Sequence, residues 1–452
     1  MPLISSVSGL RATLGDSLTP GIIAAHTSAF LSMMPYGPVV IGRDGRPSGS
    51  WIENIVAGSA SALGRPVVLL GMVPTPTVQL ETEHSDAACG IAITASHNPK
   101  EWNGLKFLNS HGVFLDGEEN LKMRSILEKA EFKYSGYERN YSISLNDEAL
   151  LNHTSRIMKS RYFSNGLDEL IRSMKYTVVV DAVNASGSKA VPMLLEELGC
   201  EVIPLYCAGN GDFPHMPEPL PENLTELAAK VKETGADLGI AVDPDADRLV
   251  LIDEKGDPIS EEKTITLAAS MVFDELGAAA ADKCAVVNQS TTMMVELIAK
   301  RHGARVFRSP VGEINVVNLM KSKGAVIGGE GSGGVILPDV HYGRDSLAGI
   351  ALILGLMANS GGTISEITAS LPKTFMTKTK QTFTGDPAGL FDVLEKKFAG
   401  NEITRSDGIR IDFIDKWLHI RTSNTEPIIR IIAESMKEGE EKELIDMAAE
   451  EV

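Results

Sequence analysis

Three times along this 452-residue chain a short Val/Ile-rich run ends in small polar residues and passes into a helix-forming stretch. Val39-Val40-Ile41-Gly42-Arg43-Asp44 leads to Pro47-Ser48-Gly49, Val178-Val179-Val180-Asp181 to Ala185-Ser186-Gly187, and Ala285-Val286-Val287-Asn288 to Ser290-Thr291-Thr292. β-branched runs of this length suit buried strands, and the Ser, Thr and Gly that follow suit a helix N-cap. The recurrence argues for an α/β protein with mixed or parallel sheets. It fits three copies of one unit, although any α/β protein can use the same strand–turn–helix pattern. Near the end the character changes, and 408–413, 417–421 and 428–432 read as closely spaced strands of a smaller α+β domain. The polar stretch 134–147, the turn Gly256-Asp257-Pro258 and the Gly/Thr/Lys mixture at 360–380 read as linkers. They divide the chain into domains at 1–147, 148–257, 258–368 and 369–452, within the roughly two to four domains expected at this length.

Lys and Arg number 42 against 60 Asp and Glu, a formal net charge of −18. Such a field repels phosphate backbones and anionic lipid surfaces, so neither nucleic acid nor a membrane is the expected partner. An anionic substrate would need a local cluster of Arg, Lys and backbone N–H groups. Cys89, Cys200, Cys207 and Cys284 are scattered without metal-like spacing, which reads as reduced thiols and a cytoplasmic setting. The first ten residues lack a basic segment followed by an apolar core, so no secretory signal is expected. The apolar run 347–358 falls short of the roughly twenty residues that span a bilayer and reads as a core helix. Nothing in the composition specifies an oligomeric state.

Four motifs carry chemistry. The apolar run Cys89-Gly90-Ile91-Ala92-Ile93 delivers the backbone into Thr94-Ala95-Ser96-His97-Asn98-Pro99, a stretch of ordinary turn residues that presents one hydroxyl. Serine is a weak nucleophile without a base and a charge-stabilising group beside it, and Lys106 lies ten residues on. Between the apolar runs 238–242 and 249–252 lies Asp243-Pro244-Asp245-Ala246-Asp247-Arg248. Carboxylates at alternate positions of a tight loop can converge on a hard cation such as Mg²⁺. An EF-hand would use Glu254 at the twelfth position, but Arg248 occupies the sixth in place of Gly and both flanks read as strands. A phosphatase of the aspartyl-phosphate kind also uses Asp-x-Asp after a strand, and a solvated acidic turn is the bland alternative. Like charges packed together repel without a counter-ion, which weighs against the latter.

The loop 328–334 carries Glu330 and Ser332 among glycines, side chains that can hydrogen-bond sugar hydroxyls where the backbone allows close approach. It is neither G-x-G-x-x-G nor followed by Lys-Ser/Thr, so it is no nucleotide loop, and a plain flexible loop has the same composition. Arg421-Thr422-Ser423-Asn424-Thr425-Glu426-Pro427, with Arg430 just beyond, reads as a phosphate cradle or a capped turn.

With these four motifs in this order, the chain resembles the α-D-phosphohexomutase family over nearly its whole length. The resemblance implies a four-domain, heart-shaped molecule: three related α/β domains and a distinct carboxy-terminal domain around one active site. It implies that Ser96 carries a phosphoryl group and that Asp243, Asp245 and Asp247 join its phosphate in holding Mg²⁺. It places Arg248, Arg11 and His97 near that phosphate and makes Lys106 the general base. Glu330 and Ser332 would bind sugar hydroxyls, and Arg421, Ser423, Asn424, Thr425 and Arg430 the substrate's phosphate. A sugar 1,6-bisphosphate is the implied activator. Two departures stand out: Pro244 and Ala246 replace glycines usual in the metal loop, and Gly334 replaces a histidine. His341 is the candidate to supply the missing acid.

The expected function is therefore a Mg²⁺-dependent phosphohexomutase moving phosphate between O1 and O6 of a glucose, mannose or glucosamine phosphate. The alternatives are a phosphosugar-binding protein without turnover and a phosphosugar phosphatase.

Overall fold

The computed structural model describes residues 3–6, 9–137, 142–422 and 427–452. Each Val/Ile run is an inner strand with a parallel neighbour on both sides. Val39–Arg43 lies between Val67–Met72 and Cys89–Ile93, Thr177–Asp181 between Glu201–Tyr206 and Leu238–Val242, and Cys284–Asn288 between Arg305–Ser309 and Ile327–Glu330. Parallel pairing needs crossover helices on the sheet faces, which is why these strands are apolar throughout rather than alternating. In all three sheets the later parallel partner turns back into an antiparallel strand: Trp102–Leu108, Leu249–Ile252 and Gly334–Ile336. The three-copy reading thus holds at the level of topology. The Ser96, Asp243–Asp247 and Glu330–Ser332 loops occupy the same connection in their respective copies.

The serines expected to cap the following helices hold neighbouring loops instead. Neither Ser48 nor Ser186 caps its own helix. Ser48 Oγ accepts from Asn103 Nδ2 at 2.8 Å, and Ser186 Oγ donates to the Pro244 carbonyl at 2.8 Å. Two of the expected linkers also carry structure. Ile143–Leu145 is an edge strand parallel to Val67–Leu69, and 360–380 contains the helix Ile364–Ser370 and most of the strand Phe375–Thr382. An edge strand exposed on both faces has no apolar alternation to betray it.

Helix Ser346–Ser360 is buried along nearly its whole length, as its apolar run requires. It belongs to one continuous core that runs from Val40 and Val78 through Val178 and Ile240 to Leu347 and Met357, joining the first three domains. Among the described residues Glu261–Asp282 is long and apolar enough to cross a membrane, and most of it is packed inside the protein. The last domain is a five-stranded antiparallel sheet with helices Pro387–Lys397 and Glu440–Ala449 and a core of its own. Many of its links to the third domain are polar, such as Gln289 Nε2 to Ser406 Oγ at 2.7 Å.

Candidate active site

Ser96 sits in the left-handed region at φ 49°, a conformation costly for a residue with a Cβ and held only where surroundings impose it. Thr94 Oγ1 accepts from the Ser96 amide at 2.8 Å and donates to Asp44 Oδ2 at 2.7 Å. Arg46 is fully buried and engages all five of its N–H donors. Nε bonds Asp44 Oδ2 (2.9 Å), Nη1 the carbonyls of Pro99 and Trp102 (2.6 and 2.9 Å), and Nη2 those of Ser96 and Asn98 (2.6 and 2.7 Å). With its carbonyls gathered on one guanidinium, the turn directs Ser96 Oγ to Asp243 Oδ2 at 2.9 Å. His97 Nδ1 lies 3.3 Å from the same hydroxyl. Burial, with the Arg248 and Arg11 charges adding to it, pushes the His97 imidazole down to about 2, so the ring is neutral. Arg11 Nη1 reaches Asn98 Oδ1 at 3.4 Å. Asp44 and Arg46 were not singled out as site residues by sequence reasoning. Their only sign was a charged pair at the carboxyl end of an apolar strand.

The metal loop also passes through the left-handed region, at Ala246 (φ 51°). That explains why glycine is the expected residue there, and the Ala246 carbonyl is pinned by Ser346 Oγ at 2.7 Å. Asp243, Asp245 and Asp247 are all buried, with carboxylate oxygens within 4.8 Å of one another, which excludes a solvated turn. Asp245 Oδ2 accepts from Lys106 Nζ at 2.6 Å and Thr75 Oγ1 at 2.7 Å, and Asp247 Oδ2 from Lys106 Nζ at 3.0 Å. Among the described residues the Oδ1 atoms of Asp245 and Asp247 are buried with no hydrogen-bond partner. Orphaned anionic oxygens in a dry, all-oxygen donor set fit a hard divalent cation. Burial and then the Asp245 and Asp247 charges raise the Asp243 carboxyl far above its usual range. For Asp247 burial is outweighed by Arg344, Lys106 and Arg248, and its carboxyl is lowered. For Lys106 burial is outweighed by Asp245 and Asp247, so the amine is held as an ammonium.

In the sugar loop, Glu330 Oε1 accepts from Asn288 Nδ2 at 2.8 Å and from the Gly312 amide at 3.1 Å. Ser332 is half-buried. Arg344, which sequence reasoning missed, ties the loops together. It donates Nη1 to Glu330 Oε2 at 2.8 Å, Nη2 to Asp247 Oδ2 at 2.7 Å and Nε to Glu313 Oε2 at 3.0 Å. A Cβ on Gly334 would stand 2.4 Å from Arg344 Cδ, so the space expected for a histidine is taken by an arginine from another segment. His341, the candidate for the missing acid, is engaged with Asp345. It is buried with Nε2 3.3 Å from Asp345 Oδ2, which also bonds His153 Nε2 at 2.8 Å, and no described hydrogen bond leads from it to Glu330, Ser332 or the metal loop.

Arg248 Nη1 pairs with Glu218 Oε1 at 3.4 Å, and the same oxygen lies 4.0 Å from His97 Nε2. Arg421 and Arg430 face each other in register on strands Lys416–Thr422 and Ile428–Ser435. Arg421 Nε lies 3.3 Å from Asp407, whose Oδ2 accepts from the Val311 amide at 2.9 Å, one residue before the Gly312 that holds Glu330. No described bond joins either arginine directly to Ser96. Ser423, Asn424 and Thr425 lie outside the described residues.

Four family descriptions match in order. Those of phosphoglucomutase/phosphomannomutase alpha/beta/alpha domains I, II and III cover residues 3–134, 160–256 and 260–375, and that of the C-terminal domain covers 379–451. The chain is 36% identical over 449 residues to a phosphoglucomutase/phosphomannomutase of Thermococcus kodakarensis, covering 97% of this chain and 96% of that protein. It is 34% identical to a probable phosphoglucosamine mutase of Methanopyrus kandleri, covering 97% and 95%. Among solved structures, a phosphoglucomutase/phosphomannomutase family protein from Burkholderia thailandensis superposes with a TM-score of 0.84 at 26% identity, covering 99% of this chain and 97% of that one.

Proposed function

The chain belongs to the phosphoglucomutase/phosphomannomutase family, the α-D-phosphohexomutases, and on that premise we propose that Ser96 carries the phosphoryl group between two positions of one hexose. Phosphohexomutase activity, an intramolecular phosphotransfer that isomerises hexose phosphates, comes with the family. The observation that carries the Ser96 reading is the 2.9 Å contact between Ser96 Oγ and Asp243 Oδ2, which sets the hydroxyl on the edge of the carboxylate cluster.

Phosphorylated Ser96 faces a free sugar hydroxyl. The Oγ–P bond breaks as a bond from phosphorus to the sugar oxygen forms, and the hydroxyl proton passes to a basic group. The product is a 1,6-bisphosphorylated sugar. With the bisphosphate turned over in the site, Ser96 Oγ takes the other phosphoryl group, and that sugar oxygen recovers a proton. Asp243, Asp245 and Asp247 would hold Mg²⁺, which neutralises charge on the transferring group. Arg248 and Arg11 add fixed positive charge beside Ser96. Lys106 is proposed for the proton transfers. Its ion pairs with Asp245 and Asp247 hold it in the donor form, so acting as base requires giving those contacts up. Glu330 and Ser332 receive sugar hydroxyls. Arg421 and Arg430, with Ser423, Asn424 and Thr425, grip whichever phosphate is not reacting. A sugar 1,6-bisphosphate serves as activator by phosphorylating a bare Ser96.

Relatives carry both phosphoglucomutase/phosphomannomutase and phosphoglucosamine mutase names, and parallel kinetics with glucose, mannose and glucosamine 1-phosphates assign the sugar. The carrier role is tested by Ser96→Ala. Intact-mass spectrometry of the wild type should show one phosphate adduct that the variant lacks, with mutase turnover abolished and the fold retained. Substantial turnover in the variant would refute the carrier assignment, and release of free phosphate in place of the isomerised sugar would indicate a phosphatase.

A further inference from the structure

A cleft of about 700 Å³, sharing no lining residue with the catalytic loops, opens where the first three domains meet. Glu81 and His84 line it from helix Thr75–Glu83 and its C-cap, Arg156, Lys159, Ser160 and Arg161 from helix Ala149–Met158 and the turn after it, and Asp339 from the segment preceding helix Ser346–Ser360.

Its two carboxylates are already engaged. Glu81 accepts from Asn146 Nδ2 at 2.8 Å and from Asn152 Nδ2 at 2.9 Å, and Asp339 accepts from the Arg161 amide at 2.7 Å and from Arg161 Nε at 3.0 Å. Among the described residues no carboxylate pairs with Arg156 or Lys159, although the chain carries a net charge of −18. Arg156 Nε is anchored on the Val340 carbonyl at 3.0 Å, and among the described residues its two Nη groups have no hydrogen-bond partner, an open fork. Ser160 is 3% exposed, and its hydroxyl is buried with no hydrogen-bond partner among the described residues. A planar fork, a point charge and an orphaned hydroxyl on one wall suit an anion with several oxygens, and the volume leaves room for more than a bare phosphate.

A chain of bonds leads from the cleft toward Arg344. Val340, which Arg156 holds, adjoins His341, and His341 with His153 fixes Asp345. Asp345 stands between Arg344, bonded to Asp247, and Ser346, bonded to the Ala246 carbonyl. We propose that this cleft is a regulatory site for a small phosphorylated metabolite, gripped by Arg156, Lys159 and Ser160, which alters sugar-phosphate turnover through the 339–346 segment.

Adenosine monophosphate and inorganic pyrophosphate serve as probes, by calorimetric titration of the full-length enzyme. Four proteins are compared: wild type, Arg421→Ala with its weakened active-site phosphate grip, Lys159→Glu, whose side chain can reverse its charge without leaving a core cavity, and Ser160→Ala. The site predicts that at least one probe binds wild type and Arg421→Ala alike, and that Lys159→Glu and Ser160→Ala each weaken it about tenfold, the order of one lost charge-assisted contact. Without probe, Lys159→Glu should turn over at the wild-type rate. With saturating probe, the KM or kcat for the sugar phosphate should shift about twofold or more in wild type and stay constant in Lys159→Glu. Binding lost in Arg421→Ala but kept in Lys159→Glu would place the probe in the active site and overturn the proposal. So would no binding of either probe up to roughly 10 mM, or binding that leaves KM and kcat unmoved.

Discussion

Arg344 Cδ occupies the place where a side chain on Gly334 would begin, 2.4 Å from the position of the missing Cβ. Because Asp247, Glu330 and Glu313 hold the guanidinium from three sides, Arg344 cannot swing away without unpairing buried carboxylates. The two positions are therefore one unit. Gly334→Ala should lower kcat/KM by roughly 10- to 100-fold and Arg344→Ala by at least as much, while the double variant should be no worse than Arg344→Ala alone. A coupling of about 1–3 kcal/mol in that cycle is the expected signature, and additive losses would separate the two residues.

Arg46 is the scaffold of the serine turn. Lysine offers three donors on a point charge, where Arg46 supplies five to Asp44 and four carbonyls, so Arg46→Lys leaves buried acceptors and a buried carboxylate unmet. Urea unfolding should show a loss on the order of 3–5 kcal/mol, with activity reduced further than stability alone explains. A variant with wild-type stability would mean the turn holds itself.

Asp245→Asn and Asp247→Asn each remove a charged oxygen from the cluster. Half-saturating Mg²⁺ should rise about tenfold or more in either variant, and turnover should fall sharply. Asp247→Asn should in addition weaken sugar binding, because Arg344 loses one of its three anchors. Full rates at low Mg²⁺ in both variants would remove the metal from this loop.

His419 sets a pH limit on the last domain. Its Nε2 donates to the Asp407 carbonyl at 2.7 Å and its Nδ1 faces Ser290 Oγ at 2.9 Å, an arrangement that satisfies the neutral ring. Burial pulls its folded-state value down to about 4, with Arg410 and Arg421 acting in the same direction against Asp407. Between about 6.5 and 4 the unfolded chain binds a proton that the folded one refuses. Stability from this group is therefore complete above about 6.5 and falls as pH drops, by on the order of 3 kcal/mol at pH 4. His419→Gln should flatten the fall in Tm over that interval, and an unchanged slope would locate the acid sensitivity elsewhere.

The α/β class, the threefold strand–turn–helix recurrence, the change to antiparallel strands at the end and the four chemical motifs were all legible in the linear chain. Each of these is written in neighbouring residues: β-branched runs declare strands, and alternate aspartates on one tight loop share a direction wherever that loop is placed. The sequence also showed that Gly334 lacks a side chain the family expects, but it could not show what fills the space. Tertiary structure decided that, because Arg344 arrives from a segment ten residues downstream, across a strand and a turn. The same holds for Arg46, whose partners Ser96, Asn98, Pro99 and Trp102 lie some fifty positions away, and for His341, which nearness in sequence suggested for the acid role and packing assigned to Asp345. Ser48 and Ser186 make the same point on a smaller scale, since a hydroxyl at a helix start can cap its own helix or hold a neighbouring loop, and only the approach of Asn103 and Pro244 selects the second. Buried polar groups must find partners wherever the fold brings them, and those partners need not be near in sequence.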